Sequence, residues 1–402
     1  MGGTTGQSGK QFWWTAIPGV LWMLLNILHS APPESLVSGG YPGVSYYAYS
    51  FLHYSYSDVV ALYGARRLFL HMIPYVQNVI EYPVGIGIYM SLMAYFPSFW
   101  GYFIASDLGL MLAFILTLYP LYRARGINAA LWLSLSPLLA VYGVLNWDLL
   151  GIMCWAWAVL TFERGRYRWA GMWIGIGIAV KFFPIVMVPY FSAWLWMHRK
   201  DQLKGFCLGL GISVGVLNLP FAIFAESGWS NFFSYNSHRP PDPGLYQWLI
   251  HVGVLHLNSV DMVSAGLTLG GGIALLALML KYHWNPVGVV AAALTWWFLC
   301  NKVYSPQYML WVYTAILWAG VDGGLLVVLN LAGLLDFWLA MRWLGLGTTG
   351  NPLLPRFVRG PVFPILAGRD LSLLFAAVFT ANRSRLRVDT GLPSEIPISP
   401  RE

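Results

Sequence analysis

Charge is scarce in this sequence. Only 10% of its 402 residues are Asp, Glu, Lys or Arg, whereas soluble globular domains carry roughly a quarter. A chain so short of charge cannot cover a water-facing surface, which excludes an ordinary soluble enzyme. Cysteine is also rare: the three residues Cys154, Cys207 and Cys300 lie in or beside apolar runs with no CxxC or Cys/His spacing. Neither a disulfide framework nor a zinc site is expected from them. The sequence also lacks an Asp-x-Asp pair and any Gly-rich loop of the P-loop or Rossmann kind, so a nucleotide-sugar or ATP reading has no support. No metal, no other cofactor and no nucleic-acid partner is expected. A convincing internal repeat is absent too.

What the chain does contain is apolar surface. Hydrophobic residues make up 58% of it, in runs near the roughly 20 residues that cross about 30 Å of hydrocarbon as helix. Strands of a membrane barrel would alternate with period two instead. The expected fold is an all-α polytopic membrane protein of roughly 10–13 transmembrane helices, with the lipid bilayer as its first partner. Residues 1–382 are expected to form a single transmembrane catalytic domain and residues 383–402 a hydrophilic cytoplasmic tail. The first apolar run, residues 12–28, follows Lys10 and has no A-x-A-like cleavage site, so it reads as a retained anchor. Many of the 21 Trp and 23 Tyr fall near run ends, as interfacial anchors do. The longest internal polar segments, residues 226–246 and 345–369, read as loops.

Lys and Arg in short loops mark the cytoplasmic side. Arg123 and Arg125, then Arg164, Arg166 and Arg168, then Arg199, Lys200 and Lys204, and finally Arg383, Arg385 and Arg387 form such a basic series. Counting spans from it collects Asp58, Asn146-Trp147-Asp148, Lys181-Phe182-Phe183-Pro184, the 226–246 segment and Asn301-Lys302-Val303-Tyr304-Ser305-Pro306 on the opposite face. That count requires residues 84–122 to cross an odd number of times. The stretch is long enough for two spans unless part of it is a short interfacial or re-entrant helix.

The outer face holds the unusual residues. Lys181 and Lys302 each end an apolar helix and are followed by aromatic residues and a proline. They either snorkel to interfacial water or border a wet cavity at a proline-broken helix, where an anionic lipid headgroup would find a counter-ion. Asp58 follows Ser57 and precedes Val59-Val60-Ala61-Leu62, so it is either a helix cap or a general base. Arg66 and Arg67 are headgroup ligands or interfacial anchors. Glu81, before Tyr82-Pro83, is a cap or the partner of an arginine. Phe232, Phe233, Tyr235 and Asn236 combine rings with polar groups as a sugar site does, although an ordinary outer loop has the same composition. His238 and Arg239 beside them are candidates for phosphate or acceptor contact.

The order Ser57-Asp58, Ile73-Pro74-Tyr75, Glu81-Tyr82-Pro83, Ala179-Val180-Lys181-Phe182-Phe183-Pro184 and Lys302-Val303-Tyr304-Ser305-Pro306-Gln307-Tyr308 resembles glycosyltransferase family 87. The best-known members of that family are polyprenol-phosphate-mannose-dependent mannosyltransferases. The resemblance covers residues 54–311, with Asn146-Trp147-Asp148 standing where a Gly-Gln-containing turn is more usual. It implies a GT-C fold, a polyprenyl-phosphate sugar donor, a glycolipid or glycan acceptor, and an active site outside the cytoplasm, with the plasma membrane as the expected location. Asp58 matches the family's catalytic base. Lys181, Lys302, Arg66, Arg67, His238 and Arg239 are the candidate ligands of the donor phosphate. Glu81, Tyr82, Asn146, Asp148, Tyr304, Gln307 and Tyr308 are the candidate substrate-binding residues.

The chemistry agrees with that choice of residues. A departing phosphate ester is already anionic, so one base and several cations suffice where hydrolysis of an ordinary glycoside pairs two carboxyl groups. The competing class is a secondary transporter or lipid flippase, with Asp107 and Lys181 placed between matched halves. The ionisable residues gather instead at run ends on one face. A dead-end cavity with Asp58 in its wall would mark the enzyme, and a polar path to both faces the transporter.

Overall fold

The computed structural model describes residues 5–321 and 323–386, so Arg387 and nearly all of the expected hydrophilic tail lie outside the described residues. The helices run in order α1 (Thr5–Ser30), α2 (Ser45–Leu52), α3 (Asp58–Ala65), α4 (Val84–Met93), α5 (Ser98–Ser134), α6 (Leu138–Tyr142), α7 (Asp148–Glu163), α8 (Tyr167–Lys181) and α9 (Met187–His198). They continue with α10 (Lys200–Phe224), α11 (Glu226–His238), α12 (Leu245–His251), α13 (Val260–Tyr282), α14 (Pro286–Cys300), α15 (Tyr308–Ala319), α16 (Gly323–Thr348), α17 (Leu354–Phe357) and α18 (Phe363–Leu386). A two-residue hairpin, β1 (Val37–Ser38) with β2 (Tyr41–Pro42), is the one sheet among the described residues. The protein is an all-α polytopic membrane protein, and six of its described helical segments are long and apolar enough to cross a bilayer.

Burial divides the helices by role. A helix that is apolar all round must face either other helices or lipid. In α15 every residue from Met309 to Ala319 is buried, and α14 and α7 are nearly as enclosed. These three form the centre of the bundle. By contrast α10 and α13 keep most of their apolar surface exposed, as lipid-facing helices do.

The central helices also run between two chemically different ends. Helix α7 leaves Asp148 and ends at Glu163, whose carboxylate meets Arg125 at 2.5 Å. Helix α15 leaves Tyr308 and ends near Trp318, whose carbonyl accepts from Arg125 Nε at 2.8 Å. Sixteen helical residues span about 24 Å, so the basic cluster and the Asp148 end are separated by most of a hydrocarbon thickness. Arg164 and Arg166 flank the α7–α8 turn, and Arg383 and Arg385 lie in the last turn of α18, close to the start of α14. The basic series therefore gathers at one end and Asp58 sits at the other.

The crossing parity of residues 84–122 is resolved by helix length. Helix α1 runs from the Tyr119–Tyr122 level, where Phe12 packs, to His29, which bonds the Tyr54 carbonyl at 3.1 Å. Helices α2, α3 and α4 hold 8, 8 and 10 residues, too few to cross. Helix α5 then returns alone from Ser98 toward Arg123 and Arg125, breaking its geometry only at Gly126, φ 81°.

Two segments expected as loops are largely helical. In residues 226–246, Trp229, Phe232 and Phe233 recur at helical spacing, and the resulting stripe packs on Phe182, whose ring lies 5.8 Å from that of Phe232. In residues 345–369, Pro355 falls in the first turn of α17, where a missing N–H leaves no bond unmade.

Helices α8 and α10 approach so closely that only glycine fits. A Cβ on Gly171 would lie 2.1 Å from the Phe206 carbonyl, and one on Gly209 would lie 2.1 Å from that of Arg168. Close backbone approach through small residues is how membrane helices associate. Gly171→Leu should therefore force the pair apart at about 1–3 kcal/mol, measured as a lower midpoint of thermal unfolding in detergent, while the exposed Gly211→Leu should leave it unchanged.

Candidate active site

The start of α3 is fastened to the segment before α7. Ser57 takes the N-cap, its Oγ accepting from the Val59 N–H at 3.2 Å while donating to the Val144 carbonyl at 2.8 Å. The Asp58 N–H donates to the Leu145 carbonyl at 2.7 Å. Because Ser57 does the capping, the Asp58 side chain is left for other partners.

Those partners are three neutral donors. Tyr56 Oη donates to Oδ1 at 2.7 Å, while Tyr82 Oη at 3.0 Å and Asn146 Nδ2 at 2.6 Å donate to Oδ2. The Asn146 amide is oriented by its other end, where Oδ1 accepts from Lys181 Nζ at 2.6 Å. Lys181 in turn meets Asp148 Oδ1 at 3.2 Å, and Trp311 Nε1 donates to that same oxygen at 2.9 Å. The result is one chain, Asp148–Lys181–Asn146–Asp58, with Lys181 Nζ also 4.9 Å from the Tyr82 ring centre.

Burial raises the Asp58 carboxyl above the ordinary carboxylate range, while the hydrogen bonds from Tyr56, Tyr82 and Asn146 and the charge of Lys181 pull it back only in part. Burial is the largest single effect. Burying a carboxylate costs several kcal/mol, and each hydrogen bond to it returns about 1.5–3 kcal/mol.

A cavity of about 450 Å³ opens on this carboxylate. Asp58, Tyr56, Tyr82, Asn146 and Lys181 contribute to one wall; Phe232, Phe233, Tyr235 and Asn236 reach it from α11 and Arg239 from just past its end, and Lys302, Ser305, Gln307 and Tyr308 from the segment that leads into α15. Behind Lys181 the Phe183 ring packs edge-on to Phe298, Tyr308 and Trp311 at 4.8, 4.8 and 5.3 Å. In that aromatic cluster Phe183 and Tyr308 line the cavity, and Phe298 and Trp311 lie buried behind them.

Every nearby cation already has a carboxylate. Arg66 pairs with Glu81 at 2.7 and 2.8 Å, Arg239 with Asp242 at 3.2 Å, and Lys302 with Asp261 at 2.6 Å. Asp58 is the one lining carboxylate without an ion pair among the described residues. The pairs differ in how readily they exchange. Lys181 and Asp148 are 7% and 1% exposed, whereas Asp261 is 69% exposed and releases Lys302 at little cost.

The candidate residues thus fall into groups. Asp58, Lys181, Lys302, Arg239, Glu81, Tyr82, Asn146, Gln307 and Tyr308 line the cavity. Arg66 and Asp148 stand one residue behind it, holding Glu81 and Lys181. Arg67 is exposed at φ 49° outside the lining, His238 bonds the Ser234 carbonyl of its own helix at 2.7 Å, and Tyr304 is buried against Arg369. Tyr56 and Asp242 were missed. Tyr56 stands two residues before Asp58, and Asp242 joins two segments by accepting from the Tyr304 N–H at 3.0 Å while its own N–H donates to the Lys302 carbonyl at 2.9 Å.

Residues 81–316 match the family model described as glycosyltransferase family 87. The match includes Tyr82, Asn146, Lys181 and Lys302 but begins after Asp58. No curated protein matches the chain. Among solved structures it is similar to the crystal structure of ArnT from Cupriavidus metallidurans bound to undecaprenyl phosphate, at 14% identity and a TM-score of 0.46, over 97% of this chain and 79% of that one. A similarity that slight identifies neither fold nor ligand.

The hydrogen bonds around Asp58 predict a titration. Its carboxylate infrared band, identified by its loss in Asp58→Asn, should titrate above the ordinary Asp value of about 3.9. Tyr56→Phe removes a donor to the ionised form, so the midpoint should move further up. A midpoint at or below the ordinary value would show that burial does not dominate.

Proposed function

The chain belongs to glycosyltransferase family 87, and from that premise we propose that it transfers a sugar, mannose in this reading, from a polyprenyl-phosphate donor to a hydroxyl of a glycolipid or glycan. The reaction takes place on the extracytoplasmic side of the plasma membrane, within a GT-C arrangement of helices. Residues 1–382 act as one catalytic domain. The observation that carries the reading is Asp58 itself, a carboxylate in the wall of a cavity, held by neutral donors and surrounded by cations that a phosphate can share.

The steps follow from that layout. The acceptor hydroxyl gives its proton to Asp58 as its oxygen bonds the anomeric carbon, and the bond from that carbon to the phosphate oxygen breaks. Polyprenyl phosphate leaves with the electron pair. Lys302 and Arg239 meet the anion, exchanging the exposed Asp261 and the 24% exposed Asp242 for it, while Lys181 stays with Asp148 and keeps Asn146 aimed at Asp58. A carboxylate above its ordinary pKa is a better proton acceptor at neutral pH. The ring-lined face of α11, with Phe232 and Phe233 at the cavity, suits the apolar face of a sugar.

Because, among the described residues, no second carboxylate lining the cavity is free of an ion pair, displacement is single and the configuration inverts. Purified protein given a β-linked polyprenyl-phosphate mannose and candidate glycolipid acceptors should yield a product one hexose heavier by mass, with an α linkage by NMR. A retained β linkage, or no transfer with any polyprenyl-phosphate sugar, would overturn the reading. Lys302→Met should raise the donor KM at least about tenfold with little change in acceptor KM, since it removes a phosphate ligand and strands only Asp261 and the Ser237 carbonyl, both on exposed residues. An unchanged donor KM in the folded variant would return Lys302 to the snorkelling class.

A further inference from the structure

The C-terminal membrane helices carry ionised groups that the proposed chemistry does not use. Arg369 on α18 is 5% exposed and lies 3.3 Å from Asp336 of α16, itself 2% exposed, and 2.8 Å from Asp370. All three lie beyond residue 316, where the family match ends. Charges inside membrane helices are expensive and are kept where they do something.

The neighbours of this cluster indicate its use. The guanidinium carbon sits 4.2 Å from the centre of the Tyr304 ring, and a Cβ on Gly244 would come 2.8 Å from Nη2. Tyr304 and Gly244 belong to the two segments that Asp242 stitches together, one carrying Lys302 and the other Arg239. The Tyr304 hydroxyl is buried without a hydrogen-bond partner, so its ring is the part that the fold uses. A planar guanidinium can stack on a ring while its edges meet carboxylates, which a lysine cannot do.

We propose that Arg369 is a positioning residue for the lipid-phosphate site: held by Asp336 and Asp370, its guanidinium fixes the Tyr304 ring and thereby aims Lys302 and Arg239 at the donor phosphate. This rests on the function proposed above. Through it, the helices beyond the family match set the geometry of the donor site.

Two variants test it without stranding a buried charge. Arg369→Lys keeps the charge, and Tyr304→Leu leaves the ion cluster whole. Each should raise the KM for polyprenyl-phosphate mannose about tenfold, with kcat within about threefold in protein that is still folded. In a Cys207→Ser background, which removes the exposed native thiol, Ser305→Cys in the cavity wall should be labelled several-fold faster by a charged maleimide when either variant is present. An unchanged donor KM in both folded variants, or a fall in kcat that tracks lost stability, overturns the proposal. Should the wild-type protein transfer nothing, the proposed function has failed while the labelling still decides: equal rates show that the cluster does not hold the segment, and faster rates show that it does.

Discussion

A buried carboxylate must be met by donors, and the donors around Asp58 are neutral and leave it without an ion pair. A direct ion pair between Lys181 and Asp58 would spend the carboxylate on a cation. Instead the Asn146 amide stands between them, its oxygen 2.6 Å from the ammonium and its nitrogen 2.6 Å from the carboxylate. Lys181 keeps its own anion in Asp148. The rest of the site depends on that separation, because it places a positive charge near Asp58 without neutralising it.

The helices serve the same end. Asp58 is the first residue of α3, Asp148 the first of α7, and Lys181 the last of α8. Each charge lies at the helix end whose dipole favours it, worth about 0.3–1 kcal/mol apiece. These ends meet because α7 and α8 form an antiparallel pair so close that a Cβ on Gly151 would lie 2.8 Å from the Lys181 Cβ. The break after Lys181, where Phe182 adopts φ 58°, then turns the chain so that Phe183 enters the aromatic cluster beside the cavity. Packing in the bundle and charge placement at its end therefore have one cause.

Much of this was legible in the sequence. Low charge and recurrent apolar runs gave the membrane class, and the basic series separated the two ends of the bundle. Lys181 and Lys302 were singled out as charges at the ends of apolar helices, Asp58 by its place after the first apolar run and its motif, and Arg239 by its aromatic and polar segment, and all four line the cavity. The pairing of the charges was not legible. Glu81 had an arginine as one of two expected partners, and the structure supplies Arg66, but nothing in the spacing joins Lys181 to Asp148 or Lys302 to Asp261. Those contacts form only when consecutive helices fold back on each other, α7 on α8 and α13 on α14, bringing the far ends of each pair together. The helix at 226–238 was hidden by its polar composition, since its single aromatic stripe finds its partners, Phe182 and Asn218, on other helical segments. Tyr304 drew attention through its motif, yet its ring turns toward Arg369, a residue that no local signal connects to it.

The central claim is that Asp58 takes the proton of the acceptor. Single-turnover transfer from a saturating polyprenyl-phosphate sugar, compared between wild type and Asp58→Asn, tests it most directly, because the amide keeps the shape of the side chain and abolishes its basicity. The account predicts a loss of at least about 100-fold in the transfer step, with donor binding and thermal stability nearly intact. Near-normal transfer by Asp58→Asn would contradict it.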